Sequence, residues 1–155
     1  HPYCLKQYNN RWFIFGKNPQ FENITNLALD RIVEIRPNNK KYIPTDIDFR
    51  EYFEDILGVT YKSYQEIHKI LLRIDAALWP YVETKPIHGS QKVVSKNETE
   101  VVVQLSVALN YELESTLLQF GEKLNVIEPK ELKIKMTERI NKMLSKYNNA
   151  EELQQ

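Results

Sequence analysis

The side chains that most often perform chemistry in proteins are few in this sequence and lie far apart. The histidines are His1, His68 and His88, and the single cysteine is Cys4. A structural zinc site needs four ligands at close spacing, which this set does not supply. No pattern places a serine or cysteine nucleophile beside a base and an orienting acid, and the four glycines form no phosphate-binding loop. The sequence therefore predicts no enzyme activity, no metal site and no cofactor.

Charge and hydropathy narrow the class of protein further. The 21 basic and 21 acidic residues cancel, so any anion-binding site must be a local feature. No apolar run approaches the ~20 residues of a membrane helix. One cysteine cannot form an intramolecular disulfide, which favours a reducing, cytoplasmic setting. The 155 residues suit one ordinary domain or two small ones, and because they begin at His1 without a methionine we expect a piece of a longer protein.

The first elements form a small antiparallel meander. Alternating aromatic and β-branched residues predict strands over 3–8 and 11–16, and Asn9-Asn10 between them predicts a type I′ turn. A third strand is expected over 24–29, and after a three-residue break the strand pattern resumes over 33–36. Three strands alone are barely stable, and their open edges predict pairing with a second copy as a homodimer.

The second strand carries apolar residues on both of its faces. Trp12 and Ile14 share one face, and Arg11, Phe13 and Phe15 share the other. We interpret Trp12 and Ile14 as core residues, and Phe13 and Phe15 as the cover of the second face. Lysines such as Lys6 and Lys17 could extend a basic patch, although exposed lysines are common.

The rest of the chain predicts a helix, a boundary and a ferredoxin-like domain. Asp48 and Glu51 have capping-box spacing, which predicts a helix that ends at Gly58. Beyond it we expect strands over 67–74, 91–95, 100–109 and 124–127, a short helix capped by Asp75, and helices over 111–120, capped by Asn110, and 130–147. Strand, helix, strand, strand, helix, strand is the ferredoxin-like order. The final helix, an addition to that order, should bury one side, formed by Leu132, Met136, Ile140, Met143 and Leu144.

Two motifs carry a family resemblance. Arg11 followed by Trp12-Phe13-Ile14, with Pro2-Tyr3-x-Leu5 before it and a complete Leu29-Asp30-Arg31-Ile32 after it, resembles the signature of the WYL domain of bacterial transcriptional regulators. The turn Ile87-His88-Gly89-Ser90-Gln91 and the run from Gly121 to Pro129 resemble WCX, the C-terminal extension that follows WYL domains. The resemblance spans Pro2 to about Tyr147, and it places further barrel strands and DNA-binding helices upstream.

The resemblance implies an α+β fold in which part of an Sm-like or SH3-like β-barrel precedes a ferredoxin-like domain. The expected parts are the end of the barrel over 1–45, a connecting helix over 46–62, the WCX extension over 63–147 and a frayed tail over 148–155. WYL domains sense ligands, often single-stranded nucleic acid or nucleotides. By position, Arg11 would contact phosphate, Phe13 would stack on a base, and Arg31 and Tyr3 would contribute. Thr25 stands where many members carry an arginine.

The resulting prediction is the ligand-sensing and dimerisation region of a bacterial transcriptional regulator. Promoter DNA would be bound by the upstream part, and no membrane is involved. Two alternatives stay open: a purely structural oligomerisation module, and a small-molecule sensor that uses the ferredoxin-like sheet. Structural roles are also open for the cations, since Arg11 could be an ordinary solvated residue and Arg31 could pair with Asp30 or Glu34.

Overall fold

The computed structural model describes residues 1–61 and 65–149 and divides the chain into two compact units, His1–Gln65 and Glu66–Gln155. Antiparallel sheets of three and four strands combine with four α-helices, which confirms the predicted α+β class. The predicted start of the second domain, at position 63, and the predicted tail from position 150 onward lie outside the described residues.

The first unit begins with the predicted meander. Its strands are β1 (Pro2–Tyr8), β2 (Arg11–Lys17) and β3 (Ile24–Ala28), hydrogen-bonded in chain order. Asn9 and Asn10 both have positive φ, at 47° and 60°, as a type I′ turn requires. Within the described residues the three strands do not close into a barrel.

The strand predicted over 33–36 is wrong. The break after β3 is a short 3-10 turn, Leu29–Arg31, and the chain then runs without regular structure to the next helix. Val33 and Ile35 are 101% and 81% exposed. An alternating pattern becomes a strand when a neighbouring strand satisfies its backbone groups, and no described strand lies beside this segment.

The helix of the first unit is shorter than predicted. It is α1 (Phe49–Glu54), and the Asp48 carboxylate caps it by accepting a hydrogen bond from the Arg50 backbone N–H at 2.7 Å. Gly58, with a φ of 86°, lies four residues beyond the last helical residue, so the prediction that it ends the helix is wrong. The turn that contains Gly58 instead leads into the buried Val59.

The core face of the meander is the opposite of the one we interpreted from the sequence. The Phe15 side chain is 1% exposed, and its ring packs edge-on against Phe53 with 4.8 Å between centroids. Trp12, on the other face, is 48% exposed, and Ile14 is half-buried. Both faces of β2 are apolar in sequence, so the position of α1 decides which of them is buried.

The second unit has the predicted ferredoxin-like connectivity. Its elements are β4 (Ile67–Asp75), α2 (Trp79–Thr84), β5 (Lys92–Lys96), β6 (Glu100–Ala108), α3 (Tyr111–Leu118), β7 (Leu124–Glu128) and α4 (Lys130–Asn148). The sheet order is β5-β6-β4-β7, with every neighbouring pair antiparallel. Alternate residues of the central strands β4 and β6 are fully buried, which explains the strict period-two pattern in both.

Of the two helix N-caps predicted in this unit, the structure confirms Asn110 but not Asp75. Asn110 caps α3 as expected, since its side-chain oxygen accepts a hydrogen bond from the Leu113 N–H at 2.9 Å. Asp75 is instead the last residue of β4, and its carbonyl accepts the Leu78 N–H in a turn before α2. The helix starts late because Pro80, which lacks an N–H, fits the first helical turn.

The predicted apolar side of α4 is buried over its first half. Leu132 is 0% and Met136 is 8% exposed, whereas Ile140, Met143 and Leu144 each leave about half of their surface open. The expectation that all five residues pack is therefore wrong for the last three.

Candidate functional site

Arg11 is held by an ion pair rather than left solvated. Its guanidinium donates hydrogen bonds from Nε and Nη2 to the Asp30 carboxylate, at 3.1 and 2.5 Å. The hydrogen bond from Arg11 lowers the pKa of Asp30 below its ordinary value. Both side chains are about half exposed, so water competes with the pair and an anion can reach it.

The register of the hairpin brings two cations and two aromatic rings together. Tyr8 pairs with Arg11 across the turn, and Lys6 pairs with Phe13. Directly opposed residues of antiparallel strands point to the same face of the sheet. These four side chains therefore share the face on which Phe15 packs against α1. We call this set, Lys6, Tyr8, Arg11 and Phe13, the cationic corner. The Lys6 ammonium also lies 3.7 Å from the centroid of the Phe53 ring, a cation–π contact.

The third strand brings the Leu-Asp-Arg-Ile motif to the same corner. Ala28 of β3 pairs with Phe13, so the following 3-10 turn delivers Asp30 to Arg11. Arg31 is exposed and forms no ion pair within the described residues, because Asp30 is paired with Arg11 and Glu34 with Arg36.

Tyr3 and Thr25, by contrast, lie at the opposite end of the meander. Tyr3 lines a cleft of about 410 Å³ together with Lys17, Tyr52 and Tyr61. The Thr25 hydroxyl donates to the Gly16 carbonyl at 3.2 Å and lines a separate groove of about 630 Å³. The structure therefore places Arg11 and Phe13 on one face of the hairpin and leaves Tyr3 and Thr25 at its other end, while Arg31 follows Asp30 in the 3-10 turn and lines a separate groove with residues 32–36.

Sequence reasoning did not assign Tyr8 to the site and mentioned Lys6 only as a basic residue. The signal was present, because a two-residue turn at Asn9-Asn10 fixes the pairing of positions 8 with 11 and 6 with 13. The Arg11–Asp30 pair carried no such signal, since it joins residues 19 apart through the pairing of β2 with β3.

The other side of the meander is an exposed apolar surface. Leu5, Ile14 and Leu27 are directly opposite one another on the three strands, and Trp12 lies on the same side. Leu5 is 55% exposed and Leu27 is 62% exposed. We call these four residues the outer face. Contiguous apolar surface that is exposed on a folded domain is a candidate interaction site.

In the second unit, the turn around His88 is a structural feature. The Ser90 hydroxyl donates to the Ser106 carbonyl at 3.2 Å and accepts the Ser106 N–H at 2.9 Å. The Ser90 N–H donates to His88 Nδ1, and the Gln91 side chain accepts the Ile87 N–H. These bonds explain why His, Ser and Gln occur at this spacing, because together they fix the entry into β5.

A family model described as the WCX domain matches residues 66–144, half of the chain and nearly all of the described ferredoxin-like unit. The chain belongs to the WCX family. A search of curated proteins found no match. The matched range confirms the WCX part of the resemblance, and the first unit remains a resemblance to WYL domains.

The WCX domain holds its added helix by a buried charge contact. Arg139 of α4 donates to the Glu114 carboxylate of α3 at 2.8 Å, and its guanidinium lies 5.0 Å from the centroid of the Tyr111 ring. Both charged side chains are mostly buried, at 27% and 18% exposure, so this pair is better shielded than the one at Arg11. The contact fixes α4 against α3.

Neither a metal-binding cluster nor a membrane-spanning helix is found in the described part of the chain. Over residues 1–61 and 65–149, no group of three or more His, Cys, Asp or Glu side chains is arranged to hold a metal ion. None of the helices in those ranges combines the length and hydropathy needed to cross a bilayer.

Proposed function

We propose that this chain is the effector-sensing and self-associating region of a bacterial transcriptional regulator, and that its effector is a nucleotide or a short single-stranded nucleic acid. Membership of the WCX family supports a regulatory C-terminal role, and the WYL resemblance supports the effector class. The observation that carries the proposal is the cationic corner, where the hairpin register sets Lys6 and Arg11 beside Tyr8 and Phe13.

The corner has the two components that single-stranded nucleic acid requires. Aromatic faces accept bases by stacking, and cations neutralise phosphates. Phe13 lacks a hydroxyl, so its part is stacking, while Tyr8 offers both a ring and a hydroxyl. Arg11 must exchange the Asp30 carboxylate for a phosphate, whereas Arg31, exposed in the turn that follows Asp30, forms no ion pair within the described residues.

The test is a titration of the chain with short single-stranded oligonucleotides and with mononucleotides, followed by tryptophan fluorescence. Arg11→Ala should weaken binding and reduce the slope of log affinity against log salt by ~1. Asp30→Asn should tighten binding, because it releases Arg11 from its partner. Arg50→Ala, which removes an exposed arginine from α1, is the matched control and should change neither. Equal affinity for all four proteins would refute the proposal.

A second role, self-association, is favoured by the outer face. Three of its four residues, Leu5, Trp12 and Leu27, are exposed, and Ile14 is half-buried. The outer edges of β1 and β3 lie at the limits of their sheet. We propose a symmetric dimer in which this meander packs on its copy. Sedimentation at micromolar concentration should show a dimer that Leu27→Asp dissociates. Val94→Asp, at a similarly exposed position of β5 in the other sheet, should leave it intact. A monomeric unsubstituted chain would rule the role out.

A further inference from the structure

A cleft opens in the WCX domain where β7 passes into α4. It measures about 740 Å³, within the usual range of small-molecule sites. Its apolar lining comes from Ile127, Pro129 and Ile134. The sequence predicted no ligand-binding role for any of these three residues, and the cleft shares no residue with the cationic corner.

A strand irregularity explains why the cleft exists. Leu72 pairs with Val126 but Leu71 pairs with Glu128, so Ile127 is an extra residue with no partner on β4. Such a bulge bends the strand and redirects the side chain of the extra residue. Ile127 consequently contributes to the cleft rather than to the regular alternation of the sheet, and the chain turns at Pro129 into the first turn of α4.

The rim of the cleft carries three lysines from two elements. Lys69 comes from β4, and Lys130 and Lys133 lie one turn apart on α4. None of the three forms an ion pair within residues 65–149, whereas Lys135 of the same helix pairs with Glu131 at 2.8 Å. An anion that binds in the cleft would therefore not have to displace a carboxylate from these lysines.

Two carboxylates also lie in the lining, those of Glu128 and Glu138. Three lysines against two glutamates leave one net positive charge, which matches a ligand with a single negative charge better than a nucleotide with several. The apolar lining favours a ligand that also has a hydrocarbon or aromatic body.

We propose that this cleft binds an organic monoanion with an apolar body, a medium-chain or aromatic carboxylate. The carboxylate contacts the ammonium groups of Lys69, Lys130 and Lys133. The body of the ligand packs on Ile127, Pro129 and Ile134. Because the ligand touches β4, β7 and α4 together, its binding stabilises the docked position of α4 in the folded domain.

The test uses the full chain, octanoate as the probe and octanamide as its uncharged counterpart. Octanoate should shift the amide NMR signals of Lys69, Ile127 and Ile134 and raise the melting temperature of the WCX domain, while octanamide should bind more weakly. The double variant Lys130→Glu with Lys133→Glu should lower octanoate affinity by roughly tenfold or more.

The matched control is Lys142→Glu with Lys146→Glu, which reverses the same number of charges on the same helix away from the cleft. It should bind octanoate like the unsubstituted chain. All substituted lysines are exposed, so both variants should keep the fold, which far-UV circular dichroism checks. Equal losses in the two variants, equal binding of octanamide, or signal shifts confined to the outer face would each overturn the proposal.

Discussion

Replacing Phe15 by alanine should destabilise the first unit far more than replacing Trp12, the larger aromatic residue three positions earlier. Phe15 is 1% exposed and its ring meets both Phe53 and Tyr52, whereas Trp12 leaves 48% of its surface open to solvent. The interpretation of the sequence alone, with Trp12 in the core, predicts the opposite order.

The expected difference follows from the areas involved. A fully buried aromatic side chain removes about 150–250 Å² from water, which corresponds to roughly 4–6 kcal/mol as an upper value. Substitutions of buried phenylalanine by alanine cost about 3–5 kcal/mol, including the cavity that remains. Trp12 is half exposed and encloses no cavity when removed, so its substitution should cost about 1–2 kcal/mol.

Amide hydrogen exchange followed by NMR measures both effects separately in each unit. Phe15→Ala should abolish protection in β2 while the amides of β4 exchange as before, so the WCX domain is the internal reference. Trp12→Ala should leave most of the protection in β2. Both substitutions are made in the Leu27→Asp background, so that self-association through the outer face does not bury Trp12. If Trp12→Ala then destabilises β2 as much as Phe15→Ala does, the assignment of the core to the α1 side of the sheet is refuted.

Three further outcomes are expected. Burial raises the pKa of Tyr52 to about 12. Because the folded state holds the hydroxyl proton more tightly than the unfolded state does, the protonated Tyr52 stabilises the fold fully below about pH 10, and this stabilisation is lost towards about pH 12. Tyr52→Phe should therefore reduce the fall in unfolding free energy at alkaline pH. Leu132→Ala should cost about 2–5 kcal/mol in urea unfolding, against less than about 1 kcal/mol for the half-exposed Ile140→Ala. A chain that begins near Thr60 should unfold cooperatively by calorimetry, and a broad, non-cooperative transition would contradict this.

The sequence predicts those parts of the fold in which local residue preferences and tertiary packing favour the same structure. Asn9-Asn10 determines its turn because asparagine tolerates positive φ. Asn110 determines the start of α3 through its own side chain. The alternation in β4 and β6 is reliable because both strands are central in their sheet, with one face fully buried.

The wrong predictions share a different cause. In each of them a neighbouring element, rather than the local sequence, determines the structure. The segment at 33–36 alternates like a strand but has no strand beside it in the described residues. Trp12 and Phe15 are both aromatic on the same strand, and the position of α1 determines which one is buried. The cleft at Ile127 depends on a one-residue shift between two strands, for which the composition of β7 gives no signal.

The Arg11–Asp30 pair gives the cationic corner a particular response to pH. Because the hydrogen bond from Arg11 lowers the pKa of Asp30, the carboxylate stays ionised through the neutral range and into acid below its ordinary titration. A phosphate of the proposed effector would therefore compete at neutral pH with a charged Asp30 for the Arg11 guanidinium. Asp30→Asn removes that competitor at every pH, so the gain in affinity it produces should shrink as acid protonates Asp30 in the unsubstituted chain. A gain that is independent of pH would mean that Asp30 acts through the geometry of the turn rather than through its charge.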